Sequence, residues 1–227
     1  MPDHVHFVFS LPPEQVSRAD YDAFYDLHLE EILAGEGFNA ARRYWLSPAS
    51  PERPEVEFAH LAVYRTDGPP EAALAALSRR QDAGEITIPD WFDGVRFLTY
   101  DGRPLEDAEL DFPDQAYVVL SHAPSRFNDD EFNGWYYAHA RENLTSEGFD
   151  ALWRYALTPR IADDDRAGRA RHGAIYACRG ALADLRAALA ESAEARRVDI
   201  PAWMPEGEFF SYLGKAPARG ADSARAA

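Results

Sequence analysis

The pattern of hydrophobic and polar residues is typical of strands in some segments of the chain and of amphipathic helices in others. The same order of segments occurs twice. The segments VHFVFS (residues 5–10) and AYVVLS (residues 116–121) are short and rich in β-branched and aromatic residues, which predicts strands. In the segments that follow, aromatic residues recur every three or four positions, which predicts amphipathic helices that run to about Ala34 and Thr145. The second copy therefore begins like the first.

The boundaries of these two helices carry matching signals. Ser17 and Asn128 each precede a carboxylate by three positions, a spacing typical of helix N-termini. After each helix comes the sequence EGF, in which Gly37 and Gly148 suit a helix C-terminus, because glycine adopts a positive φ at little cost. Both helices are therefore predicted to start and stop at equivalent positions.

The remainder of each copy continues in the same order. Residues 20–48 and 131–159 are identical at 12 of 29 positions. The later elements are second strands (ARRYWLSP and LWRYALTP), third strands (60–65 and 172–177), alanine-rich helices (70–83 and 181–196), the motifs IPDW and IPAW, and last strands (VRFLTY and EFFSYL). Each copy thus has the order β-α-β-β-α-β, which is that of the ferredoxin-like unit.

A sheet of this kind has helices on one face and leaves the other face bare. Packing the bare face of one copy on that of the other removes both from water. We therefore predict an α+β fold in which two ferredoxin-like repeats form one pseudo-dimeric α/β barrel. The predicted parts are a first repeat (1–100), a linker (101–115), a second repeat (116–214) and a disordered tail (215–227).

Composition narrows the class of protein. A net charge of −16 disfavours nucleic acid as a partner, and hydrophobic residues at 46% are enough for a core. The N-terminal apolar run is too short for a signal peptide or a membrane span, so a cytoplasmic location without membrane attachment is expected. Cys178 is the only cysteine, which excludes an intrachain disulfide.

The repeated motif resembles a known family. A helix with an aromatic face and a histidine, followed by GFNAARRY or GFDALWRY, is similar to the EthD-like branch of the dimeric α/β barrel superfamily. The resemblance covers roughly residues 4–100 and 115–214. It implies the barrel and a ligand pocket between helices and sheet. Because this superfamily includes cofactor-free cyclases, decarboxylases, oxygenases and isomerases as well as haem enzymes, it does not specify one reaction.

The two helix histidines are the first candidates for chemistry. One stripe contains Tyr21, Phe24, Tyr25, His28 and Ile32, and its counterpart contains Phe132, Trp135, Tyr136, His139 and Asn143. In an apolar pocket a histidine tends to be neutral, and a neutral imidazole is a suitable general base. Alternatively, His28 and His139 are core residues that join helix to sheet by hydrogen bonds.

The two stripes differ in polarity. Asn143 stands where the first copy has Ile32, and Tyr137 stands where it has Asp26. A buried amide needs partners, and a ligand can be one. The sequence therefore predicts that the second half holds the principal site.

The third strands carry a second repeated pair. His60 and Tyr64 share one strand face, and so do His172 and Tyr176. If this face looks toward the helices, each pair supplies a group that moves a proton and a hydroxyl that stabilises an oxyanion. If it looks into the core, the tyrosines only pack, and the period of two does not decide between the faces.

Other polar residues have plainer interpretations. Trp91 and Trp203 are expected to wall the pocket or cover the core. Arg43 and Arg154 could bind an acidic substrate, and Glu31 and Glu142 could orient the helix histidines, but surface roles are more common for such residues. For His4, His6 and His122 we expect ordinary polar positions at a strand edge.

The predicted function is that of a cofactor-independent lyase, cyclase or isomerase that acts on a small apolar or aromatic carbonyl compound, as in polyketide or other secondary metabolism. The catalytic candidates are His139, His172, Tyr176 and His28. The substrate-binding candidates are Tyr137, Asn143, Trp135, Tyr136, Tyr25, His60, Tyr64, Trp91 and Trp203.

Two alternatives stay open: a non-catalytic small-molecule binding protein and a haem-binding member of the wider superfamily. No metal site is predicted, because only HVH at residues 4–6 approaches a ligand spacing. No phosphate-binding glycine loop indicates a nucleotide cofactor. The expected partners are a small-molecule substrate and, as a further option, a second copy of the chain.

Overall fold

A computed structural model describes residues 3–49, 58–124, 126–162, 169–195 and 200–217. Within these ranges the chain forms eight strands, four α-helices and two short 3₁₀ helices. The strands are β1 (His4–Leu11), β2 (Phe38–Pro48), β3 (His60–Thr66), β4 (Arg96–Pro104), β5 (Gln115–His122), β6 (Phe149–Ala162), β7 (His172–Cys178) and β8 (Glu208–Lys215). The helices are α1 (Arg18–Leu33), α2 (Glu71–Asp82), α3 (Asp129–Asn143) and α4 (Leu182–Glu194).

The strands close into one barrel in the order β1-β3-β2-β8-β5-β7-β6-β4. All neighbouring strands are antiparallel. The order contains two four-stranded ferredoxin-like sheets, β4-β1-β3-β2 and β8-β5-β7-β6, that join at the seams β2–β8 and β4–β6. The structure therefore confirms the predicted α+β barrel of two βαββαβ repeats. Closure gives every strand two neighbours, so the sheet has no exposed edge.

The interior of the barrel is filled by alternate residues of the strands. Val5, Phe7 and Phe9 of β1 are each at most 1% exposed. The ring of Phe7 meets that of Tyr155 from the second half at a centroid distance of 5.6 Å and an angle of 78°. The bare faces of the two sheets thus pack together in one core and are both removed from water, as predicted. The intervening residues of β1, which face the helices, are His6, Val8 and Ser10.

The signals at the helix N-termini are confirmed. The two glycines lie in the turns that follow the helices, whose C-caps are Ala34 and Leu144. The side chains of Ser17 and Asn128 accept hydrogen bonds from the backbone N–H groups three residues later. Gly37 and Gly148 have φ values of 97° and 87°. At Gly37 a Cβ would lie 2.5 Å from the Cβ of Ala73 on α2, so this glycine also permits close helix packing.

The segment predicted as a linker packs against one end of the barrel. It contains the last residues of β4 and the first residue of β5. Leu110 is 1% exposed, and its N–H donates to Asp3 Oδ2 at 2.8 Å. The indole N–H of Trp153 donates to the carbonyl of Glu109 at 2.7 Å. Of the tail predicted to be disordered, residues 218–227 lie outside the described residues.

Among the helices described, none has the length and apolar character needed to cross a membrane.

Candidate active site

A first cavity lies between the sheet of the first half and helices α1 and α2. Its volume is about 230 Å³, which is smaller than the roughly 300–1,000 Å³ of sites for drug-sized ligands. Its polar lining residues are His6, Tyr25, His28, Tyr64, Gln81 and Thr99. The rest of the wall is apolar and includes Val8, Ile32, Phe38, Leu77, Phe97 and Ile161. Since Ile161 belongs to β6, the second half contributes to this cavity.

His6 and Asp101 form a buried pair at the cavity. They are register partners on β1 and β4, and each is 7% exposed. His6 Nδ1 lies 2.8 Å from Asp101 Oδ1. Arg160 Nε donates to the other carboxylate oxygen at 2.5 Å, and Arg160 Nη2 lies 2.9 Å from Glu71 Oε1. Because Asp101 engages Nδ1, Nε2 is the ring nitrogen that can act on a ligand.

The carboxylate of Asp101 remains ionised in this setting. Burial by itself would raise the pKa of Asp101, but the hydrogen bonds from His6 and Arg160 outweigh burial and hold the pKa below its usual value. An ionised carboxylate on Nδ1 fixes the tautomer with the proton on Nδ1 and a lone pair on Nε2. It also stabilises the imidazolium that forms when Nε2 accepts a proton.

Tyr64 lies beside His6 on the neighbouring strand opposite to that of Asp101. The two are register partners on β3 and β1, so Tyr64, His6 and Asp101 occupy three adjacent strands. Burial raises the pKa of Tyr64 well above its usual value. The phenol therefore stays protonated and is a hydrogen-bond donor. Tyr25 on α1, whose pKa burial also raises, reaches the same cavity from the helix side.

His28 lies on α1 and lines the same cavity. Its ring stacks on Phe24 with a centroid distance of 4.9 Å and an angle of 26°. Burial lowers the pKa of His28 to about 4, against an opposing effect of Glu31, so the ring is neutral near pH 7. Within the described residues Nδ1 of this ring has no hydrogen-bond partner. Glu31 itself accepts from the backbone N–H and the hydroxyl of Thr87, at 2.8 and 2.6 Å.

The structure places the third-strand histidines toward the helices, which the sequence left open. His60 is 0% exposed and lies 4.3 Å from Tyr25 and 5.2 Å from Tyr21, measured between ring centroids. Its Nδ1 is 3.4 Å from the hydroxyl of Ser10. Trp91 packs on the other side of Tyr21 at 5.7 Å. His60 and Trp91 thus support the wall of the cavity without lining it.

A second cavity occupies the equivalent place in the second half and has a volume of about 180 Å³. Its polar lining residues are Tyr117, Tyr136, His139, Asn143, Tyr176 and Ser211. His139 Nε2 lies 3.2 Å from Asn143 Nδ2, and Asn143 also hydrogen-bonds Tyr176. Four of the predicted residues, His139, Asn143, Tyr136 and Tyr176, therefore meet around one cavity.

The other predicted residues of the second half surround this cavity. Trp135 stacks on His139 with a centroid distance of 4.9 Å and an angle of 8°, and Trp203 meets Trp135 at 5.0 Å. His172 is 2% exposed and lies against Phe132 at 4.5 Å. None of these three lines the cavity. Tyr137 is 41% exposed and carries the guanidinium of Arg141 over its ring, so it points away from the cavity.

Arg43 is buried, where a surface role was expected. It is 5% exposed and forms ion pairs with two aspartates of α1. Its Nη2 donates to Asp26 at 2.8 Å, and its Nη1 donates to Asp22, which also accepts from the indole of Trp45 at 2.9 Å. The pairs tie β2 to α1 beneath the first cavity.

Sequence reasoning missed His6, Asp101 and Arg160 as members of a site. His6 was assigned to edge polarity, since its local sequence gives no sign of a partner that lies 95 residues away in the chain. A signal was present in the repeat itself: Tyr117 and Leu213 stand at the equivalent positions of the second half. Two ionisable residues that face each other across strands in only one copy indicate a specialised site.

Comparison with solved structures shows the same fold at low sequence identity. An anthrone oxidase-like protein is 10% identical with a TM-score of 0.50, over 99% of this chain and 96% of that chain. A mutant chlorite dismutase from Candidatus Nitrospira defluvii, in complex with cyanide, is 9% identical with a TM-score of 0.50, over 95% and 91%. No family model matches the sequence, and no curated protein matches it. The chain therefore has the dimeric α/β barrel fold, and its chemistry is argued from its side chains.

The described residues contain no group of side chains that would support a metal site. In the part of the chain that the structure describes, no three histidine, cysteine, aspartate or glutamate side chains are grouped as metal ligands.

Proposed function

We propose that the chain is a cofactor-independent enzyme that transfers a proton next to the carbonyl group of a small apolar or aromatic compound. The observation that supports this proposal is the His6–Asp101 pair beside an apolar cavity. Lyase, cyclase and isomerase reactions can all begin with such a step, and kinship with EthD-like enzymes of secondary metabolism is part of the same proposal. The pair favours the first half as the active site, although the helix stripes predicted the second.

In the proposed step, His6 Nε2 removes a proton from the carbon next to the carbonyl. The electrons of the broken C–H bond form a carbon–carbon double bond, and the carbonyl π electrons move to oxygen, which gives an enolate. The hydroxyl of Tyr64 or the neutral ring of His28 donates a hydrogen bond to that oxygen. Return of the proton from His6 to a different atom completes an isomerisation.

The walls of the cavity limit the substrate. Aliphatic and aromatic side chains such as Ile32, Phe38 and Phe97 favour an apolar body. The guanidinium of Arg160, which holds Asp101, is already paired with Asp101 and Glu71. A neutral ketone or aldehyde of about the size of a substituted benzene ring therefore suits this cavity better than a charged compound.

Exchange of α-protons for deuterium provides a test that needs no knowledge of the natural substrate. Acetophenone and related small ketones in D₂O are followed by proton NMR with the wild-type protein, His6→Ala and His4→Ala. General base catalysis contributes about 10²–10⁴-fold, so His6→Ala should lose that factor. His4 lies two positions earlier on the same face of β1 but does not line the cavity, so His4→Ala should retain the rate.

Three results would lead to other conclusions. Loss of exchange in His139→Ala with full exchange in His6→Ala would assign the reaction to the second cavity. Equal rates in all variants would remove acid–base catalysis by these histidines. Binding of ketones without any exchange would favour a small-molecule binding protein.

A further inference from the structure

The second cavity differs from the first at the positions that determine its charge. Where His6 and Asp101 face each other across β1 and β4, Tyr117 and Leu213 face each other across β5 and β8. Of the described residues, none with a carboxylate lines the second cavity. Its hydroxyl, amide and imidazole groups can all donate hydrogen bonds.

A buried guanidinium lies directly behind this lining. Arg154 is 4% exposed, and its Cζ lies 5.1 Å from the ring centroid of Tyr136. Its counterpart Arg43 pairs with two carboxylates. Among the described residues, Arg154 has Asn133 Oδ1 at 3.2 Å and one carboxylate, that of Glu106, at 3.8 Å. The positive charge of Arg154 is therefore less neutralised by the protein than that of Arg43.

A second guanidinium approaches from α4. Arg186 donates to the backbone carbonyl of Ala49 at 2.9 Å. It forms no ion pair with any carboxylate of the described residues. Burial raises the pKa of Tyr117, which lines the second cavity, and the positive charge of Arg186 opposes that rise. The equivalent position of the first half is Leu74. Two positive charges therefore act on the second cavity, whereas the equivalent positions of the first half hold one arginine paired with two carboxylates and one leucine.

We propose that the second cavity is a binding site for a small aromatic anion, a carboxylate or a phenolate, and is distinct from the proton-transfer site. The anionic oxygens accept hydrogen bonds from Tyr136, Tyr176 and Asn143, and the aromatic ring packs against Phe149 and Leu189. Attraction by Arg154 and Arg186 offsets the desolvation of the anion. Asn143, which stands where the first half has Ile32, then has a role in ligand binding.

Titration calorimetry with benzoate tests the proposal, with benzamide as a probe of the same shape but no charge. Benzoate should bind at least about tenfold more tightly than benzamide. Tyr176→Phe should weaken benzoate by about ten- to a hundredfold, because a hydrogen bond to a charged group is lost. Its matched control, Tyr64→Phe at the equivalent position of the first cavity, should leave benzoate affinity unchanged.

Arg186→Leu installs the residue that the first half carries and isolates the effect of charge. It should weaken benzoate by about threefold or more and leave benzamide unchanged, since long-range attraction acts only on the anion. Equal affinities for the two probes, no benzoate binding at about 10 mM, or a loss in Tyr64→Phe but not in Tyr176→Phe would overturn the proposal. Because the readout is binding, the result is independent of ketone exchange in the first cavity.

Discussion

His6 and Asp101 meet at 2.8 Å although 95 residues separate them, because β1 and β4 are neighbours in the barrel and the two positions are register partners. Because a carboxylate can only accept a hydrogen bond, this contact places a proton on Nδ1 of His6. It also makes the position of the His6 ring depend on a strand from the end of the first repeat.

Asp101→Asn is expected to disable the proton-transfer site with little change in its shape. The amide has the size of the carboxylate but neither stabilises the imidazolium nor fixes the proton on Nδ1. Ketone exchange should fall by about 10²-fold or more. Asp107→Asn, at an exposed aspartate of the following loop, should exchange at the wild-type rate. A wild-type rate in Asp101→Asn would show that His6 acts without its partner.

His28 should make the protein less stable as the pH falls. Its pKa is lowered from 6.5 to about 4 in the folded chain, so between these pH values the unfolded chain binds a proton that the folded chain does not. The free energy of unfolding should therefore decrease from pH 6.5 toward pH 4, by up to about 3 kcal/mol from this residue. Urea unfolding of wild type and His28→Gln across this range measures the effect.

In His28→Gln the dependence on pH should be shallower, because glutamine does not titrate. An unchanged slope would mean that the ring is protonated in the folded chain or gains its proton without cost.

Gly37 and Gly84 offer a matched pair for backbone effects. Both have a positive φ, 97° and 73°, which L-residues adopt at a cost of about 1–2 kcal/mol. A Cβ on Gly37 would also lie 2.7 Å from the Cα of Ala73, whereas a Cβ on Gly84 meets nothing within 4 Å. Gly37→Ala should therefore lower the melting temperature distinctly more than Gly84→Ala. Equal shifts would show that α2 moves aside freely.

The first repeat is not expected to be stable as a monomer. Residues 1–108 alone would expose the interior face of the sheet and the edges of β2 and β4, which pair with β8 and β6 in the barrel. The fragment should aggregate or form a dimer in which a second copy replaces the missing half. Size-exclusion chromatography with light scattering distinguishes these outcomes from a monomeric, fully structured fragment, which would contradict the shared core.

The repeat explains why much of the fold could be predicted from sequence. Two copies of one pattern supported the same order of elements. Ser17 and Asn128 marked the N-termini of the first helices, and Gly37 and Gly148 marked the turns into the second strands. The period of a strand does not say which face is buried, so the direction of His60 and His172 could not be obtained from it. Burial and aromatic contacts in the folded chain supply that direction.

The candidate sites were predicted unevenly for a similar physical reason. His139, Asn143 and Tyr136 share a helix face, so helical spacing placed them together. The His6–Asp101 pair depends on strand order and register, which local patterns do not contain. The loss of both residues in the second copy was visible in the sequence, but only the barrel shows that the two losses concern one contact.

The position of Arg160 has a consequence for recombination. This arginine belongs to the second repeat, yet it anchors the carboxylate that orients His6 in the first. A chimaera that joined the first repeat of this chain to the second repeat of another would keep Asp101 and lose its anchor. To transfer this site intact, a chimaera would need β1, β4 and β6 together. This group of strands crosses the boundary between the two halves.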